Sequence, residues 1–384
     1  MEFKLSKEQK RLKKDIACFA TEQLKDDTLA AREGNHEFSR GLWDKCGEQR
    51  IQGLHVPEAY GGMGYDAVKL ALAMEALGNG CDDAGLLVSL SAQMFRCQVP
   101  LMQFGSEAQK QRYLPKLSDG SWVATSAINE AEAGSDYENM ATTAVADGKG
   151  FVINGSKSFL VNAPLADVAL VYAVTDAEKG FDGGLTCFLI DTNTPGVSKA
   201  DGDNTIGYRT AAMGQLSFDN VAVSSDAILG EVGSGAAVYN AGVTWERSIL
   251  SAMHVGRMDY LLEKALMHAR TRKVQGQPIG KNQSVSHRIT DMKMRLEVGR
   301  LLSYKAAWSL DNNPNDTMAA SISKLFASDS MVQSVLDAGQ IYGGHAFVEG
   351  KQSGRSLHDA FGSTLYAGTA AMQRNAIAKS MGLN

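Results

Sequence analysis

Cysteine is scarce in this chain and shows no pairing pattern. Five residues (Cys18, Cys46, Cys81, Cys97 and Cys187) lie far apart, with no C-x-x-C and no ligand-like spacing to the seven histidines. That argues against a disulfide framework and against structural or catalytic zinc, and reads as reduced, mostly buried thiols. Long apolar runs are missing too. None approaches the ~20 residues that span a bilayer, and no apolar signal region opens the chain, so a soluble, cytoplasmic protein is expected. Charge of one sign is not in excess: 38 basic residues face 43 acidic ones, and the Lys and Arg are scattered. This gives no footing for a nucleic-acid or membrane-surface patch. What is present is 384 residues with 44% apolar content, enough for a sizeable core in two or three domains or one composite fold.

The first 120 residues read as helical. Ser6 and Gln9 have the spacing of a capping box, and Leu12, Ile16 and Phe19 recur at helical intervals. Further helices are expected over 66–77 and 106–117. Residues 56–64 are glycine-rich but follow no strand and contain no G-x-G-x-x-G, so a connection between helices fits better than a nucleotide loop. The pattern changes near Gly120. Short β-rich runs at 122–128, 150–154, 158–162, 168–174, 185–190 and 216–223 alternate with turn clusters at 182–184 and 192–195, which suits antiparallel strands better than βαβ units. Beyond Gly233 long helical patterns return. Ile289, Met292 and Leu296 share a face, and a polar break at 312–315 precedes another helix. The expected fold class is α+β: an N-terminal α domain (1–120), a central antiparallel β domain (121–231) and a C-terminal helical bundle (232–384).

The C-terminal stretch is the most specific. It runs Gln340-Ile-Tyr-Gly-Gly-His345, then Ser356-Leu-His-Asp359, then Leu365-Tyr-Ala-Gly-Thr369 and Gln373-Arg374. Upstream lie Phe104-Gly-Ser-Glu-Ala-Gln-Lys110, Asn129-Glu-Ala-Glu-Ala-Gly-Ser-Asp136, Ile153-Asn-Gly-Ser-Lys157, Gln215-Leu-Ser-Phe-Asp-Asn-Val221, and Arg272-x-x-x-Gly276 with Gln283. In this order the runs resemble the acyl-CoA dehydrogenase family of flavoproteins over essentially the whole chain. The resemblance implies a four-helix C-terminal bundle, noncovalent FAD and a homotetramer.

It also implies where FAD would sit. The Ala133-Gly-Ser-Asp136 turn would meet the phosphates through Ser135 and backbone N–H groups. Arg272 of a neighbouring subunit would supply a second anchor, since a guanidinium offers forked donors. Gln283 falls in the same cofactor block. Gln340 and Gly344 would lie at the adenine and ribose end, Gly344 being small where backbone approaches the cofactor. Ile128, Asn129, Phe159, Val161 and Thr369 are also assigned to the cofactor. Two of these depart from the family, which commonly has threonine at positions 129 and 161. Asn129 still donates a hydrogen bond; Val161 cannot. Phe159 stands where tryptophan is frequent. Cofactor binding is expected to survive these changes, with an altered redox poise at flavin N5.

In the family, an acyl thioester loses a Cα proton to a carboxylate and a Cβ hydride to the flavin. The α proton is a poor acid, so the site must also hold the enolate-like oxygen. The usual base is a glutamate at the position filled here by Ala367. The Ala367 backbone N–H would remain as an oxyanion donor. A minority of the family carries the base on the first long helix of the bundle. That position matches Glu246, in Thr244-Trp-Glu-Arg-Ser248, with Arg247 beside it as a substrate-side residue. A surface helix glutamate would commonly pair at i+4, where this chain has Leu250.

The runs at 89–92, 135–140 and 162–167, with Trp245-Glu246, are similar to dehydrogenases that act on aminoacyl groups tethered to carrier proteins, the prolyl type above all. The expected activity is α,β-dehydrogenation of an acyl or aminoacyl thioester. Expected partners are an acyl or peptidyl carrier protein, or a coenzyme A ester, with an electron-transfer flavoprotein or oxygen as acceptor. Three alternatives stay open. One is a branched-chain acyl-CoA dehydrogenase with the same base. Another is a flavin monooxygenase, kept open by the apolar Val161. The third is a flavoprotein that has lost catalysis, against which Glu246 argues.

Overall fold

The Ser6–Gln9 spacing makes the cap it predicts. The Gln9 N–H donates to Ser6 Oγ at 3.1 Å and the Ser6 N–H to Gln9 Oε1 at 3.0 Å, starting helix α1 (Lys7–Gln23). The computed structural model describes residues 4–313, 316–348 and 352–383. Pro314 and Asn315 of the polar break, and the side chain of Ser356, lie outside the described residues. Helices α2 (Leu29–Asn35), α3 (Arg40–Glu48) and α4 (Ala67–Gly80) follow. Residues 56–64 form the expected connection, with Gly61 and Gly64 at φ +83° and +63°. Helix α5 (Ala84–Ser91) runs into a π-helical stretch at Ala92–Gln98 and on into α6 (Val99–Phe104). A second capping box, Ser106 with Gln109, starts α7 (Glu107–Ser118).

The strands β1 (Ala124–Ala127), β2 (Thr143–Asp147), β3 (Gly150–Val161), β4 (Val168–Val174), β5 (Leu185–Asp191), β6 (Val197–Asp201) and β7 (Met213–Ser224) make one sheet, ordered β1-β4-β2-β3-β7-β6 with β5 also on β4. The pairs β2–β3, β3–β7, β4–β5 and β6–β7 are antiparallel, as expected. Strand β1 instead runs parallel to β4, and β2 touches β4 in parallel at one register position. The runs expected at 150–154 and 158–162 fuse into β3, which is interrupted by register shifts at Ile153/Gly155 and Lys157/Leu160. The second shift contains Phe159, at φ +55°; an irregularity of this kind re-aims a side chain. Strands β2 and β6 carry no apolar alternation, which is why the sequence pattern missed them. The cluster at 182–184 is part of a short helix, α8 (Gly180–Gly184).

The bundle holds α9 (Gly235–Thr271), a hairpin of β8 (Lys273–Val274) and β9 (Gln277–Pro278), then α10 (Gln283–Asn312), α11 (Thr317–Tyr342), α12 (Gln352–Ser363) and α13 (Ala370–Ser380). Val255, Met258 and Leu262 of α9 pack with Met292 and Leu296 of α10 and Met331 and Val335 of α11. Helix α4 presses onto α9 through glycine. A Cβ on Gly78 would lie 2.1 Å from Met253 O, and one on Gly256 2.0 Å from Glu75 O. That close crossing fixes the helix carrying Glu246 against the N-terminal domain.

Candidate active site

Three walls enclose a cleft of about 370 Å³. The helical wall has Val88 on α5, Ala92 and Arg96 on the π-helical stretch, and Tyr239 and Glu246 on α9. The sheet wall has Ser126 on β1, Phe159 and Val161 on β3 and Met213 on β7, with Ile128, Asn129 and Ser135 beyond β1. The third wall is the loop from Leu365 to Thr369. Eight of the expected site residues therefore meet here: Glu246, Ala367, Ile128, Asn129, Ser135, Phe159, Val161 and Thr369.

Glu246 is buried. Desolvation pushes its carboxyl above the usual carboxylate range, and the positive charges of Arg96 and Arg247 oppose that rise. Its ionic partner is not on its own helix. Arg96 Nη1 stands 3.3 Å from Glu246 Oε2, and the guanidinium lies 4.7 Å from the centre of the Tyr239 ring. The Tyr239 hydroxyl in turn meets that of Tyr137 at 2.5 Å.

The third wall is held from behind. Arg247 Nε donates to Ala367 O at 2.8 Å, Gln373 Nε2 to Ala367 O at 3.1 Å and Gly368 O at 3.0 Å, and Lys324 Nζ to Gly368 O at 2.9 Å. Burial lowers the Lys324 pKa to about 8. Thr369 Oγ1 accepts the Met372 N–H and so caps α13. The loop carbonyls are thus tied inward, while Ala367, at φ +55°, donates its N–H to no other described residue. Such an N–H can serve a developing oxyanion. Arg247, expected on the substrate side, is not among the residues lining the cleft and braces this loop instead.

The sheet wall fits a flat ring system with polar edges. Phe159 is 60% exposed. Ser126 Oγ is buried without a partner, and the Asn129 amide makes no hydrogen bond to a described residue. Val161 offers only its main chain, whose carbonyl accepts from Thr125 Oγ1 at 2.8 Å. These residues suit FAD, with Ser126 and Asn129 as the available polar groups. Arg272, Gln283, Gln340 and Gly344 do not line the cleft. They are exposed, and a contact of the His268 and Tyr342 rings at 5.0 Å joins the ends of α9 and α11 that carry three of them.

Sequence reasoning missed Ser126, Arg96, Tyr137 and Tyr239. A lone serine in a strand gives no signal. Arg96 gave one: it is the single charged residue between Ala84 and Phe104, a long buried stretch where an unpaired charge is costly.

Residues 6–121, 125–221 and 233–382 match the N-terminal, middle and C-terminal domains of acyl-CoA dehydrogenases. An L-prolyl peptidyl-carrier-protein dehydrogenase of Pseudomonas fluorescens is 37% identical, with 100% of both chains covered. Among solved structures, the prolyl acyl carrier protein oxidase AnaB is 38% identical at a TM-score of 0.96, covering 99% of this chain and 100% of that one. PigA with FAD and proline is 36% identical at 0.95, with 100% of both chains covered. With all three domains matched in order and a buried carboxylate facing the sheet wall, this chain belongs to the acyl-CoA dehydrogenase family.

Proposed function

We propose that this protein is an FAD-dependent dehydrogenase that forms a Cα–Cβ double bond in an acyl or aminoacyl thioester held on a carrier protein. One observation carries the reading: among the described residues lining the cleft, Glu246 is the single carboxylate, and it stands in a family whose usual base position is here Ala367. FAD, when bound, supplies the acceptor for the Cβ hydride. Glu246 takes the Cα proton through a carboxylate oxygen. Its burial raises its proton affinity, which suits a base. The free Ala367 N–H takes the charge that grows on the thioester oxygen, and its tied carbonyl keeps that N–H fixed. Phe159, Ser126 and Asn129 would hold the ring edge, and Ser135 the phosphates.

The carrier assignment is supported by the prolyl-carrier names of the relatives above. A carrier protein adds contacts outside the pocket, and that remote binding energy can be used in the transition state. The test is to load one acyl group at a time, starting with L-proline and extending to other acyl groups, on both a carrier protein and coenzyme A, and to follow flavin reduction without oxygen. Faster reduction by the carrier thioester is expected. Equal or faster reduction by the coenzyme A ester would place the protein with the degradative enzymes. Reoxidation of the reduced protein by oxygen, or only by an electron-transfer flavoprotein, then identifies the acceptor.

A further inference from the structure

The helical end of the cleft is rich in donors and poor in acceptors. Arg96 has five N–H donors, yet among the described residues its one hydrogen bond is the long 3.3 Å contact to Glu246. Its side chain is only 13% exposed and lines the cleft, so a group bound there can take up the remaining donors. Tyr137 and Tyr239 also line the cleft. Their hydroxyls share one hydrogen bond, which leaves one O–H proton to give. Charge is unbalanced in the same direction. Glu246 faces Arg96, Arg247 and Lys324, three cations around one carboxylate. The imbalance grows during turnover, because Glu246 becomes neutral when it takes the substrate proton and Arg96 then loses its anion.

Arg96 is also placed for the acyl group. Val88, Ala92 and Arg96 follow one another at four-residue spacing along α5 and the π-helical stretch, and all three line the cleft beside Glu246. π-helical turns often mark functional positions. On the sheet wall lie the groups suited to the ring system; on this wall lie the base and the guanidinium.

We infer that the acyl group accepted here carries a carboxylate and that Arg96 binds it. An acceptor-only group with two oxygens matches a guanidinium fork assisted by a tyrosine hydroxyl. Arg96 is thus a specificity-determining residue. The inference rests on the reading of the cleft as a carrier-thioester dehydrogenase site.

The test uses holoprotein and matched carrier-protein thioesters: succinyl, glutaryl and adipoyl against butyryl, valeryl and hexanoyl. Both binding, by perturbation of the flavin spectrum, and anaerobic flavin reduction are followed in the parent, Arg96→Met and Arg96→Lys. In the parent, the best dicarboxylic thioester should exceed its alkyl match by about tenfold or more. Arg96→Met should collapse that ratio, and Arg96→Lys should retain part of it. An alkyl thioester that equals its partner in the parent overturns the inference. So does a ratio that survives Arg96→Met, including the case where the variant only shifts the pH profile equally for both substrates, as a mere partner of Glu246 would. Arg96-dependent binding of the dicarboxylic thioester without flavin reduction would sustain the inference and sink the dehydrogenase reading. Equal reduction by both classes would do the reverse.

Discussion

Glu246 sits between two opposed effects, desolvation that favours its neutral form and the charges of Arg96 and Arg247 that favour its anion. Desolvation prevails, so the carboxyl titrates above its ordinary value of 4.5. The sign for catalysis follows: only the anion accepts a proton, so the flavin reduction rate should rise with pH through that raised pKa. A rate that stays at its plateau as pH falls to 4.5 would contradict this. Glu246→Gln keeps the shape and removes the basicity. It should retain bound flavin and lose about 10²–10⁴-fold in reduction rate, and reduction at the parental rate would show that another group is the base. The sequence made this residue legible because the usual position was vacant of a carboxylate and the i+4 position held Leu250. It could not show Arg96 as the partner, since 150 positions separate the two and only the crossing of α9 over the π-helical stretch, where Gly242 lies against Phe95 and Arg96, brings them together.

That crossing shows what was and was not readable at the scale of elements. Capped, amphipathic helices such as α1 and α7 announced themselves. Helix α5 and the π-helical stretch did not, because their residues are buried on nearly every side and periodicity vanishes when no face is polar. Strands β2 and β6 escaped for the opposite reason, being largely exposed. Close helix contact at a glycine is likewise invisible until both partners are placed. With Glu75 O only 2.0 Å from a Cβ at Gly256, Gly256→Ala must push α9 away from α4. A loss of about 1–3 kcal/mol is expected from such overpacking, read by chemical denaturation, together with slower flavin reduction because Glu246 rides on the same helix. Unchanged stability would mean that the two helices slide apart freely and do not fix the base.

The cofactor sets the scale of the whole molecule. Eight expected residues meet in one cleft of a single chain, while Arg272, Gln283, Gln340 and Gly344 lie elsewhere and face solvent. Arg272 makes no ion pair among the described residues, and near it and Gly344 are apolar side chains left outside, Val274, Val348 and Phe347, the last 97% exposed. Exposed aromatic and aliphatic groups gathered beside an unspent guanidinium are what a subunit contact would cover. Sequence periodicity cannot reveal a site that a second copy would complete; the resemblance to the family was the only signal for one. We expect FAD to be shared between subunits of a homotetramer, so that cofactor and assembly depend on each other. Arg272→Ala should then lower FAD occupancy, measured by the ratio of flavin to protein absorbance. It should also shift the molecule toward smaller species in sedimentation, with added FAD reversing part of the shift by mass action. A monomeric Arg272→Ala protein that keeps its full complement of FAD would show that one chain holds the cofactor alone, and the exposed end of the bundle would need another occupant.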